Sequence, residues 1–346
     1  MGSAEGCLPP SNKGAVSRLA LFFDKNLNNG GAGVSKTAFL FPGQGSQTPG
    51  MASALAAQSP KAREILEEID NTLEFKLSAL MANGPADELQ LTQNAQPALF
   101  ASSLATLKTI EVATGKSIDQ LCDFVAGHSL GEYSALCAAQ TFEVASTASL
   151  LRLRGEAMQK AVPVGEGAMA ALLGADVELA DAVVSEASAA GLVEIANDNA
   201  AGQIVVSGAT KAVEAAMQIA RDKRLRRVVS LPVSAPFHCA MMAPAADVMA
   251  AALGETVMRD AAVPVICNIT ASPEQGANQL RSNLVAQVTG RVRWRETMEY
   301  MVANGVTRFV ELGTGKVLSG LAKRAAPEAE ILSLDTLEDI QSAFNL

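Results

Sequence analysis

The sequence predicts an α/β protein, a larger body of strands and helices carrying an inserted β-α-β-β-α-β unit of ferredoxin-like pattern. Two observations carry the prediction. Short apolar runs at 37–41, 124–126 and 308–312 each break at a glycine-rich turn, and the last two continue into helix, which is the strand–turn–helix order of α/β proteins. Residues 167–233 keep a different rhythm: strand 169–173, helix 177–189, strands 193–197 and 203–208, helix 211–223 and strand 227–233.

The first strand, TAFLF over 37–41, stops at Pro42-Gly43-Gln44-Gly45-Ser46-Gln47, because Pro and Gly end regular structure. Helical spacing follows over 60–70 and again over 94–107, where small and apolar residues predict a buried helix. Phe124-Val125-Ala126 is a strand that ends in Gly127-His128-Ser129-Leu130-Gly131, with a helix continuing over 132–139. Beyond the insert, 264–268 and 308–312 read as further strands of the main sheet, the second leading through Gly313-Thr314-Gly315 into a helix from Lys316. Residues 1–36 are rich in Gly, Asn and Ser without a sustained period and read as a flexible tail.

Composition narrows the function. The 346 residues correspond to roughly two domains and bury a core without staples. With 27 Lys+Arg against 36 Asp+Glu the net charge is −9, and aromatics are only 4%, so nucleic acid is not an expected partner. Five scattered cysteines without a CxxC pair signal neither a disulfide framework nor a metal site, and they suit a reducing cytoplasm. No apolar run reaches membrane-spanning length, and 19–23 is too short for a signal-peptide core.

Gly127-x-Ser129-x-Gly131 matches the nucleophile-elbow pattern. Flanking glycines permit a strained turn that exposes the serine hydroxyl at a helix N-terminus, where the backbone dipoles favour developing negative charge. The bare motif recurs by chance, so its placement between strand and helix carries the reading; the alternative is a tight turn without chemistry. Serine needs a base. The chain holds two histidines, His128 and His238. His128 adjoins the serine, where neighbouring side chains diverge, so His238, in a proline-containing loop after the insert, is the better candidate. Cys239 beside it is not read as a partner, since sequence neighbours rarely hydrogen-bond in that way.

Arg154 falls at the edge of a helical stripe formed by Val144, Ala148, Leu151, Gly155 and Met158, facing partly inward. A guanidinium so placed wants a carboxylate, either a substrate's or an internal Asp or Glu. Lys223, Arg224, Arg226 and Arg227 are the densest basic cluster of an acidic chain, and such runs are usually solvated helix ends.

Phe41-Pro42-Gly43-Gln44-Gly45-Ser46-Gln47, Gly127-His128-Ser129-Leu130-Gly131-Glu132, Ala235-Pro236-Phe237-His238 and Glu311-Leu312-Gly313-Thr314-Gly315-Lys316 together resemble the malonyl-CoA:acyl carrier protein transacylases. The resemblance runs from Thr37 to the C-terminus. Its departures are mild: Ala201 stands where the family often has Pro, and Cys239 where Ser commonly follows the histidine. It implies an α/β-hydrolase-like catalytic domain over 37–161 and 234–346, with the ferredoxin-like subdomain at 162–233. It implies Ser129 as nucleophile, His238 as general base, and the backbone N–H groups of Gln44 and Leu130 as oxyanion hole. Arg154 would bind the malonyl carboxylate, and the backbone carbonyl of Gln287 would orient the histidine. The expected reaction is ping-pong transfer of malonyl from malonyl-CoA to the phosphopantetheine thiol of acyl carrier protein, supplying extender units for fatty acid synthesis, by a cytoplasmic monomer without metal or other cofactor. Such carrier proteins are acidic, so the basic cluster is a docking candidate. Two other classes share these features in part. An α/β serine hydrolase such as a thioesterase would more often orient its histidine with an acid, and a non-catalytic carrier-binding relative would lose the nucleophile.

Overall fold

The computed structural model describes residues 35–346 apart from Ser234. The tail expected over 1–36 lies outside the described residues except for its last two positions. The described residues open with β1 (Lys36–Phe41) and continue through α1 (Ser53–Gln58), α2 (Pro60–Leu73), α3 (Leu77–Asn83), α4 (Ala86–Gln90), α5 (Thr92–Thr114) and α6 (Ile118–Leu121) to β2 (Phe124–Gly127), α7 (Leu130–Ala138) and α8 (Val144–Lys160). Next come β3 (Gly167–Leu173), α9 (Val177–Ala187), β4 (Val193–Ala200), β5 (Gln203–Ala209), α10 (Thr210–Asp222) and β6 (Arg227–Ser230). The chain returns through α11 (Ala243–Glu255), β7 (Val265–Ile266), β8 (Pro273–Glu274), α12 (Ala277–Thr289), α13 (Trp294–Ala303), β9 (Val306–Leu312), α14 (Val317–Ala325), β10 (Glu330–Leu334) and α15 (Leu337–Phe344).

The main sheet has the order β10-β9-β1-β2-β7-β8 and is parallel throughout except for the β7–β8 pair. Its central strands are covered on both faces, as parallel strands require. Phe39 and Phe41 pack into one core, while Ala38 and Leu40 pack on the opposite face with Trp294 and Phe309, so the period-two alternation of β1 feeds two cores. Register sets the site. Phe41 of β1 lies opposite Gly127 of β2, so the turns leaving the carboxyl ends of both strands sit side by side, where ligands bind in sheets of this kind.

The second sheet has the order β4-β5-β3-β6 with antiparallel neighbours. Ala170 and Leu172 of β3 face a core shared with α9 and α10, whereas Met169 and Ala171 turn into the main core. Asp198 of β4 ties the sheet to the body: its N–H donates to the Val292 carbonyl, and its carboxylate takes Arg295 at 2.8 Å.

Two predicted strands are shorter than expected, each for a backbone reason. The strand expected over 264–268 ends at Ile266, because the chain turns at Cys267 and the Asn268 N–H is taken by Glu132 Oε2. The strand expected over 227–233 ends at Ser230, short of Pro232, which has no N–H to give a ladder. Among the described residues no helix is long and apolar enough to cross a membrane.

Candidate active site

Ser129 caps the start of α7 with φ 54° and ψ −111°, a conformation that L-residues rarely adopt. The turn closes only because its flanks are glycines. A Cβ on Gly127 would stand 1.8 Å from the Gly131 carbonyl oxygen, and one on Gly131 would stand 2.2 Å from that of Phe41. No side chain fits either gap. The Gln44 loop and the elbow therefore pack in direct backbone contact, with the His128 N–H donating to the Phe41 carbonyl at 3.0 Å.

His238 lies in the loop after β6, and its Nε2 is 2.7 Å from Ser129 Oγ. Its Nδ1 lies 2.9 Å from the backbone oxygen of Gln287 in the last turn of α12. This carbonyl also takes the capping Gly290 N–H at 3.3 Å and lies at the negative end of the helix dipole, so it accepts an Nδ1–H as well and leaves Nε2 free to accept from the serine. No carboxylate is needed to set the tautomer. Burial, and then the positive charge of Arg154, pull the His238 pKa down to about 3, so the imidazole is neutral.

Arg154 is more deeply placed than its stripe position suggested, at 1% exposure. Gly155 is the reason: a Cβ there would stand 2.6 Å from the Gln93 Cα, so α8 approaches the start of α5 closely and carries Arg154 inward. Among the described residues it forms no ion pair with Asp or Glu. Its Nη1 donates to Gln96 Oε1 at 2.8 Å, and its Nη2 donates to Gln287 Oε1 at 2.9 Å and to Ser129 Oγ at 3.2 Å. A buried cation held by neutral amides keeps its affinity for an anion.

Ser129, His238, Arg154, Gln44 and Leu130 all line one cavity of about 390 Å³, with Met158, Met169, Leu231 and Phe237 as apolar wall. Leu130 is the first residue of α7, where helix N–H groups lack internal acceptors. His128 also lines the cavity, but its Nε2 is engaged with Asn199 Oδ1 at 2.8 Å and its ring lies against Trp294. Cys239 does not pair with His238; its thiol donates to the Pro236 carbonyl. The cluster Lys223, Arg224, Arg226 and Arg227 is exposed, with Lys223 paired to Glu186 at 3.0 Å. Among the described residues no group of His, Cys, Asp and Glu is arranged to hold a metal ion.

The model of the acyl transferase domain family matches residues 38–336. The malonyl CoA-acyl carrier protein transacylase of Bacillus subtilis (strain 168) is 44% identical over 312 residues, covering 90% of this chain and 97% of the relative. The chain belongs to the malonyl-CoA:acyl carrier protein transacylase family. Among solved structures, the acyl-carrier-protein-S-malonyltransferase of Bartonella henselae matches with a TM-score of 0.88 at 51% identity, covering 90% of this chain and 98% of that one. A malonyl-transacylase solved in complex with its type II PKS acyl-carrier protein matches with a TM-score of 0.85 at 38% identity, covering 90% and 99%.

Sequence reasoning on this transacylase-family chain assigned no role to four groups around the elbow. They are Gln96, Asn268, the Glu132 carboxylate and the side chain of Gln287, buried at 2% exposure or less. Asn268 Oδ1 accepts the Ser129 N–H at 2.7 Å, and Gln287 Nε2 donates to the Ser129 carbonyl at 3.0 Å. Amides carry no periodicity or charge, so the sequence offered no signal for three of them. Glu132 was visible as an acid inside the apolar segment that follows the elbow. Burial pushes its pKa up to about 7, against the hydrogen bonds from Gln287 and Asn268.

Proposed function

We propose that this protein transfers the malonyl group from malonyl-CoA to the phosphopantetheine thiol of an acyl carrier protein through a malonyl-serine intermediate, supplying extender units for fatty acid synthesis. One observation carries the reading: Ser129 Oγ lies between His238 Nε2 at 2.7 Å and Arg154 Nη2 at 3.2 Å, which joins an activated nucleophile to a receptor for a carboxylate.

Ser129 attacks the thioester carbonyl as His238 Nε2 takes its proton. The N–H groups of Gln44 and Leu130 receive the oxyanion, and His238 returns the proton to the departing CoA thiol. The carrier's thiol then gives its proton to His238 and attacks the acyl-serine, and His238 passes that proton to the departing Ser129 Oγ, so each half-reaction leaves the imidazole neutral. Arg154 pairs with the free carboxylate of the malonyl group. The Gln287 carbonyl holds the imidazole, which supports a dyad and disfavours a hydrolase that orients its histidine with an acid.

The strand order of the second sheet supports the ferredoxin-like reading of 162–233, and the elbow following a central parallel strand supports the α/β-hydrolase-like reading of 37–161 with 234–346. Action as a monomer belongs to the same proposal. Free, buried Cys122, Cys137, Cys239 and Cys267 suit a reducing cytoplasm. No cofactor enters the steps above. Exposed Lys223, Arg224, Arg226 and Arg227 supply local positive charge for an acidic carrier.

Intact-mass spectrometry after mixing with malonyl-CoA, and then with carrier protein, tests the reading. A one-malonyl adduct that moves to the carrier is expected. Rapid release of free malonate would make the protein a hydrolase, and the absence of any adduct would make it a binding module.

A further inference from the structure

Glu132 lies on the first turn of α7, three residues after Ser129, and is fully buried without an ion pair among the described residues. Its Oε2 accepts two hydrogen bonds, from the Asn268 N–H at 3.0 Å and from Gln287 Nε2 at 2.7 Å, while Oε1 has no hydrogen-bond partner of good geometry among the described residues and the Cys267 thiol lies beside the carboxylate. A buried carboxylate is costly unless donors converge on it, and here the donors belong to the two residues that grip the nucleophile.

We propose that Glu132 is a positioning residue, acting through the side chains of Asn268 and Gln287 to fix the backbone of Ser129 on both sides and the guanidinium of Arg154. With its own N–H anchored on Glu132, Asn268 aims Oδ1 at the Ser129 N–H, 2.7 Å away, and Nδ2 at the Gly127 carbonyl, also 2.7 Å away. Gln287 has two ways to turn its amide, and an acceptor at Glu132 Oε2 selects one of them. The NH₂ faces Glu132 and the Ser129 carbonyl, so the oxygen faces Arg154 Nη2 at 2.9 Å. The arginine is thereby aimed at the serine, and the strained elbow is held at both of its peptide groups.

What orients the two amides in this arrangement is the acceptor at Oε2, beside a smaller electrostatic attraction between Glu132 and Arg154. A glutamine at position 132 can place its carbonyl oxygen there and its NH₂ where Oε1 has no partner. Methionine offers no acceptor and releases both donors.

The inference rests on the roles of Ser129 and Arg154 proposed above, and its test separates the two. Acylation by malonyl-CoA and by acetyl-CoA is measured in the wild type, Glu132→Gln, Glu132→Met, Gln287→Met and the double variant Glu132→Met/Gln287→Met. Glu132→Met and Gln287→Met should each lower the malonyl-to-acetyl ratio of kcat/KM by about tenfold or more, and the double variant should be no worse than either. Glu132→Gln should keep most of the wild-type ratio. A purely structural role would reduce the rates with both thioesters alike and leave the ratio untouched, which overturns the proposal, as would additive losses. Should Glu132→Met fail to fold, an unchanged ratio in Gln287→Met overturns it equally. A wild type that forms no malonyl-serine would overturn the proposed function instead.

Discussion

Arg154 donates a hydrogen bond to Ser129, from Nη2 to Oγ at 3.2 Å. The proposed anion receptor and the proposed nucleophile are thus in contact, and on that reading the acyl group spans them. An acyl group with one methylene between carboxylate and thioester reaches both at once. A second methylene pushes either the carbonyl away from Oγ or the carboxylate past the guanidinium. Succinyl-CoA should therefore acylate Ser129 at least about tenfold less efficiently than malonyl-CoA. Equal kcat/KM values for the two would remove Arg154 from the acyl-binding role.

Ser129 and His238 share one hydrogen bond, and as the proposed nucleophile and base they would act as one unit. Ser129→Ala should abolish the acyl-enzyme, and His238→Ala should leave a slow residual reaction, down about a thousandfold or more. The double variant should be hardly worse than Ser129→Ala, because the loss is not additive within a unit. Full transfer by Ser129→Ala would refute the mechanism.

His238 is buried and His128 is part-buried, and desolvation lowers both pKa values, His238 to about 3 with the help of the Arg154 charge. The folded protein thus resists protons that the unfolded chain takes up below about pH 6.5. The contribution of His238 to stability is present above pH 6.5 and is lost as the pH falls toward its folded value of about 3. Since His128 and His238 are the only imidazoles, NMR reads them directly. The His238 ring should not titrate between about pH 8 and 5, whereas a midpoint near 6.5 would place it in a solvated environment.

The elbow depends on the missing side chain at Gly127, where a Cβ would meet the Gly131 carbonyl at 1.8 Å. Gly127→Ala should cost about 3 kcal/mol or more, or prevent folding, because the obstacle is backbone and cannot rotate away. Denaturant midpoints check this, and a midpoint equal to the wild type would show that the turn opens more easily than its packing suggests.

The parts of the fold and site that were legible in the sequence are those with a period, a charge or a rare residue type. The order of the insert's strands and helices followed from hydrophobic rhythm, and β1 and β2 from apolar runs cut by glycine. Ser129 stood out by its flanking glycines, and His238 because the chain has only two imidazoles. The Gln287 carbonyl came from family resemblance, since any residue supplies that group. Arg154 was placed on the correct helix but too near the surface, because its burial depends on how closely Gly155 lets α8 meet α5. Gln96 and Asn268 were invisible, as their roles arise where chain-distant segments, helix α5 for Gln96 and the loop after β7 for Asn268, meet the elbow and Arg154. The strand expected over 264–268 was overextended for the same reason: the hydrogen bond from Asn268 to Glu132 draws the backbone out of the sheet.

The central claim is that Arg154 receives the substrate carboxylate beside the nucleophile, and the malonyl-to-acetyl ratio of kcat/KM in wild type and Arg154→Ala tests it most directly. Loss of a buried charge partner costs about 3–5 kcal/mol, so the ratio should fall by roughly two to three orders of magnitude, with acetyl transfer gaining relative to malonyl. An unchanged ratio in a folded Arg154→Ala protein would contradict the account and leave Arg154 as a structural cation held by Gln96 and Gln287.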